Sequence, residues 1–127
     1  MRPPAALIVE WSMLTRARKL ARRIRASSRN LSARDNHVYV VLLRGFGRDG
    51  TEIGFYIGQS AYPPEERFAQ HKAGIRSSGV VRRMGERLLP KVYKHLNPLS
   101  EVEAKQIEAG LAEAFRAAGL PNVRGGH

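Results

Sequence analysis

Val38-Tyr39-Val40-Val41-Leu42-Leu43 is the stretch on which the architecture turns. Six consecutive β-branched, aromatic and aliphatic residues read as a buried strand. Gly45 to Gly50 is glycine-rich and closes on Asp49-Gly50, a strong turn signal. Ile53 to Ile57 then reads as the returning strand, so the pair predicts an antiparallel hairpin. A glycine-rich loop also invites a phosphate-loop reading, but the Gly-Lys-Ser/Thr ending that such a loop needs is missing. The loop is therefore expected to be a hairpin tip only.

Working outward toward the C-terminus, the spacing predicts a helix over 64–74. Pro63 and Pro64 suit its first turn, Glu65 and Glu66 favour the positive end of its dipole, and Gly74 can stop it. Phe68 and Ile75 mark its expected buried face, with Arg67 and His71 one turn apart beside that face. Residues 79–97 predict a short helix near 80–85 and a third strand over 88–94, which Pro90 would make an edge. The last helix is sharply delimited: Ser100 and Glu103 form a capping box, and Gly119 followed by Pro121 ends it. Ile107, Leu111, Ala114, Phe115 and Ala118 form its apolar stripe, and Glu108 falls at the stripe's edge between Ala104 and Ala112. Glu103 is accounted for by capping and Glu113 faces away. Glu108 is thus the one acid in the body of this helix without a local structural explanation.

Toward the N-terminus, Val9 to Arg29 reads as a basic amphipathic helix with Trp11, Leu14, Ala21 and Ile24 near one face and Arg16, Lys19, Arg22 and Arg23 over much of the rest. Three uses fit it: lying along a phosphate backbone, packing on the domain, or acting as an Arg-rich targeting sequence of the mitochondrial kind. Ser27 to Ser32 reads as a linker. The expectation is an α+β chain in which residues 1–34 are a basic helix and linker, and residues 35–127 form one domain. That domain is expected to hold a small three-stranded antiparallel sheet flanked by helices.

Composition narrows the function classes. The chain has 127 residues, room for one modest core. It has no cysteine, which excludes disulfides, thiolate nucleophiles and cysteine-based zinc sites. His37, His71, His95 and His127 show no zinc-ligand pairing, and no apolar run approaches the roughly 20 residues needed to cross a bilayer. A cytoplasmic protein without a membrane partner is expected, with a mitochondrial address as the alternative. Net charge is +11. Residues 1–34 carry nine Lys/Arg against the single Glu10, a balance of +8, and the remainder carries thirteen against ten, a balance of +3. A chain this basic is expected to associate with polyanions, nucleic acid first among them.

Tyr39, then Tyr56-Ile57-Gly58, Gln59-Ser60, Arg67-Phe68-Ala69-Gln70-His71, Ala104-Lys105-Gln106-Ile107-Glu108 and Asn122 follow one another in an order that resembles the GIY-YIG nucleases. That family carries two tyrosine motifs, an Arg-x-x-x-His helix, a glutamate on an Ala-rich helix and a later asparagine. The resemblance spans about two-thirds of the chain, from Val38 to Asn122. Its first motif departs, reading His37-Val38-Tyr39 with histidine where the family has glycine, and the loop between the tyrosine strands is longer.

The resemblance implies a metal-dependent DNA endonuclease on a GIY-YIG-like fold. Glu108 would hold one Mg²⁺ (or Mn²⁺), Arg67 would clamp the phosphate, and Tyr39, its pKa lowered by nearby positive charge, would lead as general base. Tyr56 and His71 would position the water or support that tyrosine, with histidine able to exchange the base role, and Asn122 would hold the site together. Arg16, Lys19, Arg22, Arg23 and Lys72 would bind DNA, and specificity would be weak or supplied by a protein partner. Structural readings stand beside these: Tyr39 and Tyr56 as sheet filling, Arg67 and His71 as an exposed polar face, Glu108 as a solvated edge residue, Asn122 as a turn residue. A second class of function also stands, a nucleic-acid-binding module that keeps the scaffold without useful turnover.

Overall fold

The unbroken apolar run becomes the central strand of the sheet. In the computed structural model, which describes residues 5–24 and 35–126, β1 (His37–Phe46) has Val38 to Leu43 all buried. The hairpin forms with β2 (Glu52–Ser60) in a register that sets Tyr39 opposite Gly58 and Val41 opposite Tyr56. Opposed residues share a face, and successive residues alternate. Tyr39, Val41, Tyr56 and Gly58 therefore lie on one side of the sheet, and Val40, Leu42, Phe55 and Ile57 on the other.

Two departures from expectation concern the sheet. The third strand is β3 (Gly85–Leu88), antiparallel to β1, and it stops where 88–94 was expected to continue. Pro90 lacks the N–H a strand would use, and its fixed φ suits a first helical turn, so it opens the short helix α4 (Pro90–Tyr93) instead. A fourth strand, β4 (Val123–Gly125), pairs parallel to β2. The sheet is thus four-stranded and mixed, in the order β3-β1-β2-β4, rather than three-stranded and antiparallel. Three residues with no alternation leave no strand signal in the sequence.

The helices distribute over both faces. α2 (Pro64–Ala73) begins at its prolines and ends at Gly74, whose φ of 80° turns the chain away. That turn leaves Ile75 56% exposed, not buried as expected, while Phe68 is partly buried against the core. α3 (Gly79–Met84) follows. On the opposite face α5 (Glu101–Ala117) packs against β1 and β2, with Phe115 meeting Phe55 edge-on at 5.5 Å between ring centroids. Its cap is the expected one: Glu103 N–H donates to Ser100 Oγ at 3.1 Å.

The basic helix α1 (Ala5–Arg22) packs on α4 and α5, with Ala17 and Ala21 fully buried. Of the three uses, packing on the domain is the one seen. Trp11, read as sharing one face with Leu14, Ala21 and Ile24, is 65% exposed. Arg44 ties the helix down from β1, reaching Glu10 of α1 at 2.5 Å and Glu86 of β3 at 2.7 Å. The end of the expected helix (residues 25–29), the linker at 27–32 and His127 lie outside the described residues. Among the described residues no helix is long and apolar enough to cross a membrane.

Candidate active site

Three rings from three elements form a triangle over one face of the sheet. Tyr39 and Tyr56 have centroids 6.2 Å apart, Tyr39 and His71 6.0 Å, and Tyr56 and His71 5.8 Å. Gly58 makes room for them. A Cβ built there would stand 2.5 Å from both Cζ and Oη of Tyr39, so the glycine opposite Tyr39 is a steric requirement of the ring above it.

His71 is not the exposed helix residue that the alternative reading allowed: it is only 1% exposed. Both ring nitrogens are engaged. The Ser78 backbone N–H donates to Nδ1 at 2.9 Å, and Nε2 lies 2.8 Å from Tyr39 Oη. A ring that accepts at Nδ1 carries its proton at Nε2, so the histidine donates to the tyrosine oxygen. Burial, with Arg67 adding to it, lowers the His71 pKa to about 4, so the ring is neutral at physiological pH.

Arg67 stands one turn before His71. Nη1 donates to the Ile75 carbonyl at 3.2 Å and to Gln70 Oε1 at 3.1 Å, and Nη2 to the Arg76 carbonyl at 2.7 Å. These bonds hold the loop after α2, where Arg76 has a φ of 44°, and fix the guanidinium beside Tyr39. Proximity of this positive charge was expected to lower the Tyr39 pKa. Burial outweighs it: the phenol is raised above its ordinary value, with Tyr56 and Glu108 pushing the same way and only Arg67 opposing. Tyr56 is raised as well, again chiefly by burial, with the Ser78 side chain opposing.

Glu108 arrives from the other side of the sheet. Along the outer edge of β2, Phe55 N–H donates to the Asn122 carbonyl at 3.2 Å and the Ile57 carbonyl accepts from Gly126 N–H at 3.2 Å. The ladder ends there, and the Gln59 backbone beyond it lies close enough to the Glu108 carboxyl to favour its ionised form. Glu108 is 8% exposed, and burial raises its pKa to about 7 against the opposing effects of Gln59 and Lys105. Among the described residues it makes no ion pair. A buried carboxylate that no ion pair engages fits a hard divalent ion that needs a single protein oxygen, waters and phosphate. Among the described residues no three His, Asp or Glu side chains gather into a metal-binding group, at Glu108 or elsewhere.

The remaining sequence candidates are placed differently. Asn122 sits in the left-handed region at φ 51°, packed against Gly54, and Nδ2 donates to the Ile53 carbonyl at 2.9 Å. It pins β4 to β2 two residues along from Tyr56 and touches none of the other candidates. Lys72 is committed to structure, donating to the carbonyls of Arg82 at 3.1 Å and Gly85 at 2.9 Å. Arg16 donates to the Ala118 carbonyl. Lys19 and Arg22 on α1 and Arg23 just after it are exposed, and α1 packs on α4 and α5, across the sheet from the rings. Sequence reasoning missed Ser78, which fixes the His71 tautomer, and the Gln59 amide. Ser78 precedes Gly79 as the residue capping α3, a position a helix-start signal marks but a catalytic motif does not.

No protein family, no curated protein and no solved structure matches the chain.

Proposed function

We propose that the chain is a metal-dependent DNA endonuclease of the GIY-YIG type, hydrolysing phosphodiester bonds at the Tyr39–Tyr56–His71 face. The observation that carries this reading is convergence. Tyr39 from β1, Tyr56 from β2, Arg67 and His71 from α2 and Glu108 from α5 meet at one end of the sheet, although Tyr39 and Glu108 lie far apart in sequence and enter from opposite faces. Structural filling explains a buried tyrosine. It does not explain a buried carboxyl without an ion pair, its pKa raised by burial, on the edge of the same sheet. The antiparallel order β3-β1-β2, with the Arg-x-x-x-His helix over the tyrosine face, also fits a GIY-YIG-like fold, with β4 added on its edge.

A divalent cation, Mg²⁺ or Mn²⁺, held by Glu108 would supply neutralisation of the phosphoryl and leaving oxygens. The chain's own groups divide the rest. Arg67, immobilised by two backbone carbonyls, offers a positive charge to a phosphate without reorganising. His71 has no vacant lone pair, so it serves as a donor that stabilises negative charge on the Tyr39 oxygen, not as the base. Tyr39 is the group positioned to take a proton from water once ionised. Neutralising the Glu108 charge would remove one of the influences that hold its pKa up, with burial and Tyr56 still opposing Arg67. Tyr56, next to both Tyr39 and Ser78, orients the water.

The test is nicking of supercoiled and branched DNA with Mg²⁺, with EDTA, and with purified Glu108→Ala. Metal-dependent cleavage that falls by a factor of about 10² or more in the variant, with DNA binding retained, supports the reading. Equal cleavage by the variant refutes the site. Firm binding without cleavage by the wild type replaces the enzyme with the binding module.

A further inference from the structure

A groove of about 420 Å³ runs between α1, the end of β3 and α4, on the side of the sheet away from the three rings. Trp11, Leu14, Leu89 and Pro90 give it apolar walls, and Arg18, Arg87 and Lys91 line it with positive charge. Three features set it apart from an ordinary solvated surface. Trp11, the chain's sole tryptophan, is 65% exposed, so a ring that most proteins shelter stands open to an occupant. The two nearby acids, Glu10 and Glu86, are both turned onto Arg44, and among the described residues Arg18, Arg87 and Lys91 make no ion pair. The same Arg44 bridge joins α1 to β3, so the wall bearing Trp11 and the wall bearing Arg87 are held in fixed relation.

We infer that this groove binds single-stranded nucleic acid, an unpaired base stacking on Trp11 while its flanking phosphates lie against Arg18, Arg87 and Lys91. An exposed aromatic face beside unmatched cations is the chemistry that reads an unstacked base and its backbone. A duplex keeps its bases stacked and withholds them from the indole. A lipid surface would call for a broad apolar face with cations at its rim, whereas here the cations sit in the groove wall itself. The inference rests on nucleic acid being the partner in the proposed function, but on none of the residues of that site. The groove would hold a frayed or branched flank of a substrate whose scissile bond lies on the other face.

The full chain is titrated in EDTA with a ten-nucleotide oligothymidylate and with a duplex of equal length, following Trp11 fluorescence. The single strand should quench the emission and bind at least about tenfold more tightly than the duplex. By anisotropy of a labelled strand, Trp11→Ala should lose about tenfold in affinity. Arg87→Gln with Lys91→Gln should reduce the salt slope by about 1.4, at roughly 0.7 per phosphate contact on a single strand. Strand binding without quenching, or unchanged affinity in both variants, overturns the inference. So does equal quenching by polyglutamate, which would make the groove a site for acidic polypeptide. A concentration-dependent emission change without DNA would make its occupant a second copy of the chain. Because no metal is present, failure here leaves Glu108-dependent cleavage untouched, and quenching with no cleavage under Mg²⁺ would count against the nuclease reading alone.

Discussion

Replacing Glu108 by glutamine should make the protein more stable, and the gain should depend on pH. The carboxyl has a folded pKa of about 7 against an ordinary 4.5, mainly through burial. A raised carboxyl holds its proton more tightly in the folded state, so its ionisation costs stability. That cost is absent below pH 4.5, grows as the pH rises toward 7 and is complete above it. At about 1.4 kcal/mol per tenfold change in proton affinity, the full cost is about 3 kcal/mol. At pH 5 less than about 1 kcal/mol of it has appeared. Glutamine keeps the shape and an oxygen for the Gln59 backbone but never ionises. Urea unfolding of wild type and Glu108→Gln at pH 5 and pH 8 should show the variant's advantage growing by about 2 kcal/mol between the two. Any contribution from His71 is common to both proteins and cancels in the difference. Saturating Mg²⁺ should raise the wild-type midpoint at pH 8 and leave the variant's unchanged. A variant no more stable than wild type at pH 8, or equally favoured at both pH values, would refute the argument that this carboxylate is buried without a counter-charge.

Four further outcomes are expected. Tyr39→Phe should cut nicking by a factor of about 10² or more while costing only about 1–2 kcal/mol in denaturant, since His71 loses its one Nε2 partner; near-wild-type turnover would remove Tyr39 as the base. Gly58→Ala should destabilise by about 1–3 kcal/mol and displace the Tyr39 ring, seen as lost cleavage with DNA binding retained, whereas full activity would mean that the ring has slack. Arg44→Ala should cost about 1 kcal/mol, less in high salt, and speed proteolysis within α1; an unchanged digestion pattern would show that Ala17 and Ala21 hold the helix unaided. Acid should destabilise the wild type as His71, with its folded pKa of about 4 below the ordinary 6.5, is forced to charge: stability is held above pH 6.5 and falls toward pH 4. A His71→Gln variant with the same acid limb would assign that fall to other groups.

Hydrophobic pattern carried most of the architecture. The apolar run at Val38–Leu43 was legible because no residue within it prefers water, and α5 because Ser100, Glu103 and Gly119 mark its ends. The strand over 88–94 failed at Pro90, where a residue read as an edge signal starts a helix. β4 was invisible because its place depends on β2 offering an unpaired edge, a fact about tertiary structure. In the candidate site, residue types and order singled out Tyr39, Tyr56, Arg67, His71 and Glu108, and the electrostatics expected of Tyr39 were misread. Proximity of Arg67 suggested a lowered Tyr39 pKa, and only burial, which no local pattern reports, reverses the sign. Exposed lysines and arginines look alike in sequence, so Lys72 and Arg16 could not be seen to be engaged with carbonyls.

The parallel pairing of β2 with β4 also sets a timetable for synthesis. The β1–β2 hairpin closes over residues 47–51, but Phe55 meets Val123 only 68 positions later. At about 5–20 residues per second a ribosome takes roughly 3–14 seconds to cover that interval. During it the tyrosine-bearing hairpin exists while the outer edge of β2 presents bare N–H and C=O groups, the kind of edge that recruits foreign strands. Slow elongation or truncation before residue 123 should therefore show itself as aggregation of the nascent chain. The edge left open in that interval is the one on which the finished protein seats Glu108.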